Sequence, residues 1–367
     1  MAPHGQHGRD DRCARLNHVI ATTGYAAANA GALLAPFQFE RRDPGPTDVV
    51  IELLWCGVCH SDLHMVTNDW GFSPYPLVPG HEMVGRVVGV GTKVTRYRCG
   101  DTVAVGCMIG SCGTCASCQS GSEQYCDAGP VSSFGTHEPG SRQPVFGGFS
   151  RHYVVDERFT LRVPASLDPA RAAPLLCAGI TSYSPLRHWN VGPGKRVGIV
   201  GIGGLGHVAL KLARAMGAEV VAITASPSKR ADAIKLGAHE VILSSDPGDL
   251  KAHEARLDFL LDTVSNDHDV VPLLNLLRAN GTLCMVGIPM LPLNVPALSL
   301  ETKRRSIAGS IMGGIAETQE MLDFCATHEI AADIEILHVH QVNDAFARLK
   351  RNDVRYRFVL DLRSFPA

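Results

Sequence analysis

The sequence predicts an α/β chain of two domains, a mostly β domain followed by a doubly wound parallel sheet with crossover helices. Three observations carry this. From Ala21 to Ser150 the chain is a series of short strand-like runs separated by Gly, Pro and Asp; after Pro164 apolar strands alternate with helical stretches; and a glycine-rich turn joins the first of those strands to a helix. A length of 367 residues suits two domains, each burying its own core, with a cleft between them.

The strand-like runs of the first part are DVVIELLWCGV, MVGRVVGVG and DTVAVGCMI. The alternating part reads RVGIVGIG, HVALKLARAMGA, EVVAITAS, SKRADAIKLGA, EVILS, FLLDTV, LLNLLRAN and TLCMVGI, with LLNLLRAN taken as helical. From about Gly314 a helix candidate, ETQEMLDFCATHEI, leads to a strand candidate, ADIEILHV, a helix around NDAFARLKRND and a last strand, RFVLDL. This tail is expected to return and complete the first domain. The first 18 or so residues, with His4 and His7, read as a flexible extension.

Composition excludes several function classes. Hydrophobic residues make up 45% and charged residues 19%, and the formal net charge is -2, so no basic field exists to hold nucleic acid. No run of 18 apolar residues and no apolar signal core at the N-terminus is present, which argues against a membrane span and makes the cytoplasm the expected compartment. The chain has 12 cysteines, and their clustering points to metal and away from disulfides.

The segment GSCGTCASCQSGSEQYC holds Cys112, Cys115, Cys118 and Cys126, with two residues between each of the first three and seven before the fourth. Soft thiolates at this density wrap tetrahedrally around one zinc, and four protein ligands leave no position for water, so the ion is expected to be structural. A second set is dispersed: Cys59 in CGVCHSDLH, His81 with Glu82 in PGHEMVG, and Cys177 in PLLCAGITSY. Two thiolates and one imidazole leave a fourth position open, the arrangement of a catalytic zinc.

GIVGIGGLGHVALKLARAMG places Gly201, Gly203 and Gly206 in GxGxxG spacing, after an apolar strand and before an amphipathic helix. The glycines permit the tight turn, the approach of backbone to a pyrophosphate and the packing of helix on strand. A site for NAD would place Asp or Glu about 20 residues further on. Here the text is VVAITASPSKR, with Thr224, Ser226, Ser228, Lys229 and Arg230 and no acid. Hydroxyls and cations suit a 2′-phosphate that a carboxylate would repel, so NADP(H) is the expected cofactor.

Taken together, CGVCHSDLH, VPGHEMVGRVVGVG, the four-cysteine lobe, GIGGLGH and ETQEMLDFC resemble the zinc-dependent medium-chain alcohol dehydrogenases, and within them the cinnamyl-alcohol-dehydrogenase-like branch with its bacterial aldehyde reductases. The resemblance runs from about Ala21 to Leu362. It implies a GroES-like catalytic domain, residues 1–176 and 314–367, and a Rossmann domain of about 177–313. It implies that Cys59, His81 and Cys177 ligate the catalytic zinc, with Glu82 as a transient ligand. Ser61 and His64 would form a proton relay, Asp62 would fix the tautomer of His81, and His60 would lie by the cofactor pyrophosphate. Gly204 and Leu205 would join the three motif glycines there, Thr181 would pack near the nicotinamide, and Ile288, Ser310 and Ile311 would line the carboxamide pocket.

By the same resemblance Met65, Trp70, Phe72, Cys107, Val131 and Met312 line a roomy, largely apolar substrate pocket suited to aromatic or medium aliphatic aldehydes. The family's aromatic-alcohol specialists carry an aromatic residue where Val131 falls, so strict hydroxycinnamyl specificity is not expected. The implied function is hydride transfer between NADP(H) and an aldehyde or primary alcohol, with two zinc ions per chain and a homodimer as the assembly. The alternatives are a reductase of alkene or iminium bonds on the same fold and a non-enzymatic redox- or zinc-responsive binding protein. Neither needs the complete set Cys59, Ser61, His64, His81 and Cys177.

Overall fold

A computed structural model describes residues 20–138 and 141–366, so the extension expected to be flexible lies outside the described residues. The first part of the chain builds a twisted sheet whose order is Leu161–Arg162, Thr102–Val105, Met83–Val90, Asp48–Val58, Arg357–Asp361 and Ile334–His338, with His152–Asp156 paired to the first half of Asp48–Val58. The expected strand DVVIELLWCGV is observed over its whole length. Its last residues, Trp55 to Val58, pair antiparallel with Phe358 to Asp361, so the chain's tail is hydrogen-bonded to the strand that leads directly into Cys59.

The second sheet has six parallel strands in the order Glu240–Leu243, Glu219–Thr224, Arg196–Val200, Leu257–Asp262, Leu277–Met285 and Ser306–Gly309. In chain order this is 3-2-1-4-5-6, the doubly wound arrangement, and its direction reverses between Arg196–Val200 and Leu257–Asp262. Ligands of such sheets bind beyond the carboxyl ends of the strands at that reversal. Both faces are covered, which is why Val197 to Val200 and Val220 to Ile223 are buried without alternation.

Two elements differ from the sequence reading. LLNLLRAN is helical only over Val271–Leu276; from Leu277 the chain is already strand, because Leu277 pairs with Leu257. A helix, His60–Thr67, follows Cys59 within the text that holds the metal-ligand motif. It is nucleated by Asp62, whose carboxylate accepts the Cys59 N–H at 2.9 Å. Between the sheets, the helix Ala178–His188 is buried along most of its length and packs on Ile315–Thr327, where Tyr183 donates to Glu320 at 2.9 Å. Among the described residues no helix is long and apolar enough to cross a membrane.

The strand Leu257–Asp262 ends on a fully buried carboxylate, Asp262, whose Oδ2 lies 2.8 Å from His268 Nε2 and whose Oδ1 accepts the Val264 N–H at 3.1 Å. The bond to Asp262 raises the His268 pKa to about 9 against the opposing effect of burial. A folded pKa above the ordinary 6.5 means that the pair stabilises the fold fully below that value and is lost as pH rises through about 9. His268→Gln is therefore expected to lower the melting temperature at pH 6 and to approach wild type by pH 10. A deficit that stays constant across that range in thermal melts would exclude the ion pair as its cause.

Candidate active site

The sheet and the helix it feeds bring four distant residues together. Ligand atoms of Cys59, His81, Glu82 and Cys177 all lie within 4.8 Å of one another; Cys59, His81 and Glu82 are buried and Cys177 is partly buried. Cys59 Sγ is 3.9 Å from Cys177 Sγ, and His81 Nε2 is 3.8 Å from Glu82 Oε1. Asp62 organises the group: one carboxylate accepts from the Cys59 N–H at 2.9 Å, the Gly80 N–H at 2.9 Å and His81 Nδ1 at 3.0 Å. Because the carboxylate accepts at Nδ1, the imidazole presents Nε2 to the cluster. Phe134 stacks on the His81 ring, with centroids 5.6 Å apart and planes 13° from parallel.

The electrostatics are those of a site built for a cation. The hydrogen bond from Cys177 lowers the Cys59 pKa well below the thiol range, while Cys177, crowded by Cys107 and Cys59, is pushed well above it. Burial pushes Glu82 up to about 7 even though the adjacent Arg357 pulls it down. Burial would lower the His81 pKa, but the Asp62 carboxylate and the neighbouring Cys107 and Cys59 together outweigh it and raise it. Glu82 Oε1 accepts from Arg357, and Glu82 Oε2 is buried with no hydrogen-bond partner among the described residues. Two thiols, an imidazole nitrogen and an orphaned carboxylate oxygen are a donor set that fits zinc.

Cys112, Cys115, Cys118 and Cys126 form a second such group, again with their sulfurs within 4.8 Å of one another and none of them in a disulfide. Backbone amides turn inward here. Thr114 N–H and Cys115 N–H approach Cys112 Sγ at 3.5 and 3.4 Å, and Cys112 N–H approaches Cys126 Sγ at 3.3 Å. The Thr114 N–H and hydroxyl lower the Cys112 pKa to about 6, which favours the thiolate a metal needs.

The glycine motif forms the turn between Arg196–Val200 and the helix Gly206–Ala215. Gly201 has φ +86°, and a Cβ on Gly206 would overlap the Gly201 carbonyl oxygen, so neither position admits a side chain without strain. Gly203, Gly204 and Leu205 complete the turn. Thr224 ends the next strand, Ser226 and Ser228 hydroxyls lie 2.9 Å apart, and Lys229 Nζ donates to the Ile202 carbonyl at 2.8 Å. Arg230 starts the following helix and is exposed.

The remaining expected site residues fall into groups. Ser61 Oγ is 3.7 Å from Cys59 Sγ, and His60 and His64 rings are 6.4 Å apart on the same short helix. His64 Nδ1 lies 2.7 Å from Asp69 Oδ2, and its ring packs beside Trp70, which stacks on the exposed Phe72. Cys107 sits beside Cys177 with its sulfur 3.6 Å from the Leu176 carbonyl, and Thr181 is one turn beyond Cys177. Val131 pairs with Gly110 in a short ribbon. Met65 is buried in the β-domain core against Gly135, so it backs the surface that Trp70 and Phe72 present. Ile288 and Ile311 are exposed, with Ser310 and Met312 partly covered after the edge strand Ser306–Gly309.

Two residues were missed by sequence reasoning. Phe134 carried no signal. Arg357 did, as a lone cation at the start of the apolar strand RFVLD. Its guanidinium pairs with Glu82, both side chains almost wholly enclosed at 4% and 0% exposure, and a Cβ on Gly204 would lie 3.0 Å from its Cδ. One side chain thus touches the metal-type cluster and the glycine turn.

Residues 45–165 match the family model of the alcohol dehydrogenase GroES-like domain, and residues 204–327 match that of the zinc-binding dehydrogenases. The aldehyde reductase YahK of Escherichia coli (strain K12) is 52% identical over 342 residues, covering 92% of this chain and 97% of that protein. The chain belongs to the zinc-binding alcohol dehydrogenase family. Among solved structures of this family, a cinnamyl alcohol dehydrogenase of Sorghum bicolor superposes with a TM-score of 0.91 at 46% identity, covering 94% of this chain and 98% of that one. A Helicobacter pylori relative solved in complex with NADP(H) gives a TM-score of 0.89 at 35% identity, covering 94% and 99%. As a zinc-binding alcohol dehydrogenase the protein is an oxidoreductase with a GroES-like and a Rossmann-type part.

Arg357→Met would leave the Glu82 carboxylate buried without its partner, at a cost of about 3–5 kcal/mol in unfolding free energy. Adding Glu82→Gln to that variant is expected to recover most of the loss. Urea unfolding of the single and double variants checks this, and a double variant no more stable than Arg357→Met would show that the buried charge is not what destabilises it.

Proposed function

We propose that the protein is a zinc-dependent, NADP-linked alcohol dehydrogenase and aldehyde reductase, acting on aromatic or medium aliphatic aldehydes and the matching primary alcohols. The observation that carries this is the enclosed group Cys59, His81, Glu82 and Cys177, joined through Arg357 to the glycine turn. The presence of that donor set together with Ser61 and His64 argues against a reductase of alkene or iminium bonds, and a redox- or zinc-responsive binding protein would not need the complete relay.

In this reading zinc held by Cys59, His81 and Cys177 supplies Lewis acidity to a carbonyl, and the reduced nicotinamide supplies hydride. Asp62 keeps His81 in the tautomer that offers Nε2. Ser61, beside Cys59, orients the substrate oxygen, and the proton it needs is supplied through His64. With Nδ1–H donating to Asp69, His64 keeps Nε2 as its exchangeable nitrogen, and its partial exposure gives that proton an outlet to solvent. Glu82, balanced by Arg357, stands by as the transient ligand. The stacked Trp70 and Phe72, the latter 64% exposed, form an apolar wall for the substrate's hydrocarbon part.

Thr224, Ser226 and Ser228, with Lys229 and Arg230, hold the 2′-phosphate, and the absence of an acid at the end of Glu219–Thr224 supports NADP over NAD. Residues 1–176 with 314–367 form the catalytic domain and 177–313 the cofactor domain. The assembly is a homodimer: Ser306–Gly309 is an edge strand, and Met290, Leu291, Leu293 and Leu298 leave an apolar surface exposed near it.

The wild-type protein is expected to hold two zinc ions per chain, a count that follows from the two donor sets. His81→Ala should retain one and lose nearly all turnover while still binding NADPH. Cys115→Ser should lose the other ion and lose stability more than turnover per folded molecule. Metal analysis and melts of the three proteins test this; wild type with a single ion, or normal turnover in His81→Ala, would contradict it.

Cofactor choice tests the phosphate loop. Charge-assisted contacts to a 2′-phosphate predict an NADPH preference over NADH of about 100-fold or more in kcat/KM. Thr224→Asp should invert or erase it, because the new carboxylate accepts from ribose hydroxyls and repels phosphate. Equal use of both cofactors by wild type, or an unchanged ratio in the variant, would show that this loop does not select.

A further inference from the structure

His207 follows the last glycine of the motif and is fully buried, although nothing in the catalytic scheme uses it. Its surroundings dictate its chemical state. Nδ1 lies 3.1 Å from the Gly203 carbonyl, which can only accept, so Nδ1 carries the proton. Nε2 lies 3.1 Å from the Asp333 amide, which can only donate, so Nε2 is bare. Both bonds hold only for the neutral ring in this one tautomer. Burial, aided by the positive charge of Lys211, lowers the His207 pKa to about 3, so the ring stays neutral at any working pH.

Each end of this bridge leads to the site. The Gly203 carbonyl belongs to the peptide whose N–H is that of Gly204, and in a trans peptide the two groups point in opposite directions. Holding the carbonyl against the helix therefore turns the Gly204 N–H outward, toward the place where a pyrophosphate sits on a glycine turn. Asp333 precedes the strand Ile334–His338, and its carbonyl accepts from Tyr356 N–H at 3.0 Å and Arg357 N–H at 3.1 Å. Its carboxylate accepts from Lys211 Nζ at 2.9 Å and Arg171 at 3.3 Å. The Tyr356 ring stacks on His207 at 5.0 Å and 16°. The next residue is Arg357, packed on Gly204 and paired with Glu82.

We propose that His207 is a positioning residue for the dinucleotide: its neutral ring ties the glycine turn to the Asp333 backbone and thereby sets that turn against Arg357 and the catalytic cluster. The inference rests on the proposed use of a nicotinamide dinucleotide. The side chain never touches the reacting atoms; it acts through Gly203 on one side and Asp333 on the other.

Two amide substitutions separate its two bonds. His207→Asn keeps a group at the Nδ1 position and has nothing at the Nε2 position, whereas His207→Gln carries an amide oxygen that reaches the Asp333 N–H, and its Gly203 end stays tied because that carbonyl also accepts the backbone N–H of residue 207 at 3.1 Å. NADPH dissociation constants from fluorescence titration, steady-state KM and kcat for one aldehyde, and hydrogen exchange of the cofactor-free protein at residues 331–335 are the readouts. Expected for His207→Asn are a folded protein, faster exchange at that segment, NADPH binding weakened by about tenfold or more and an aldehyde KM within about twofold of wild type. His207→Gln should bind NADPH within about threefold of wild type with exchange nearly unchanged. Wild-type affinity in His207→Asn would overturn the proposal, and so would equal weakening in both variants, which would make the ring a packing element only. Wild type that binds neither NADPH nor NADH would instead overturn the cofactor reading, so the two failures are distinct.

Discussion

The ion pair between Arg357 and Glu82 is the constraint on which the arrangement of the site depends. A carboxylate enclosed at this depth must find a partner or give up its charge, and Glu82 is held where both outcomes are close, with a pKa near 7. The partner comes from 275 residues away, on the strand that pairs with Trp55 to Val58. Bringing those charges together dictates other residues. A Cβ on Gly57 would overlap Glu82 Oε2, and one on Gly204 would crowd the Arg357 side chain. The tail's return to the β sheet is therefore part of the chemistry as well as the closure of a domain edge.

Asp62 acts in the same way at shorter range. It begins the helix His60–Thr67, accepts the amides of Cys59 and Gly80, and orients His81. Two of the expected metal ligands thus have their backbones or rings fixed by one carboxylate, so the cluster is held in place by the fold and not by a metal alone. The three hydrogen bonds that the Asp62 carboxylate accepts explain why a short acidic side chain is fully buried on this helix.

What could be read in the sequence was what is local. DVVIELLWCGV spells its strand because burial alternates or runs on within eleven residues, and the four-cysteine lobe and the glycine turn carry their whole pattern within a single segment. The dispersed cluster was readable only as an ordered set beside the four-cysteine lobe, with its roles implied by resemblance, since nothing in Cys59 or Cys177 alone separates a ligand from a packed thiol. Phe134, Arg357 and the second bond of His207 stayed hidden because each depends on contacts between segments far apart in the chain. LLNLLRAN misled for a related reason: its apolar spacing suits a helix, but pairing with Leu257 draws Leu277 onward into the sheet.

These points combine in the geometry of the cleft. The glycine turn belongs to the parallel sheet, the metal-type cluster draws on the β sheet, the helix after Cys59 and the start of the helix Ala178–His188, and among the described residues the tail around Asp333 to Arg357 touches both the turn and the cluster. A two-domain enzyme must hold its hydride donor and acceptor within bonding range while letting both enter and leave. Contacts through neutral His207 and a stacked Tyr356 do not change with pH in the working range, whereas the Arg357–Glu82 pair lies beside the reacting centre, where charge matters. The proton movement proposed for Ser61 and His64 would then leave the neutral His207 contacts at the glycine turn unchanged, while Arg357 carries the one charged link from that turn to the cluster among the contacts above.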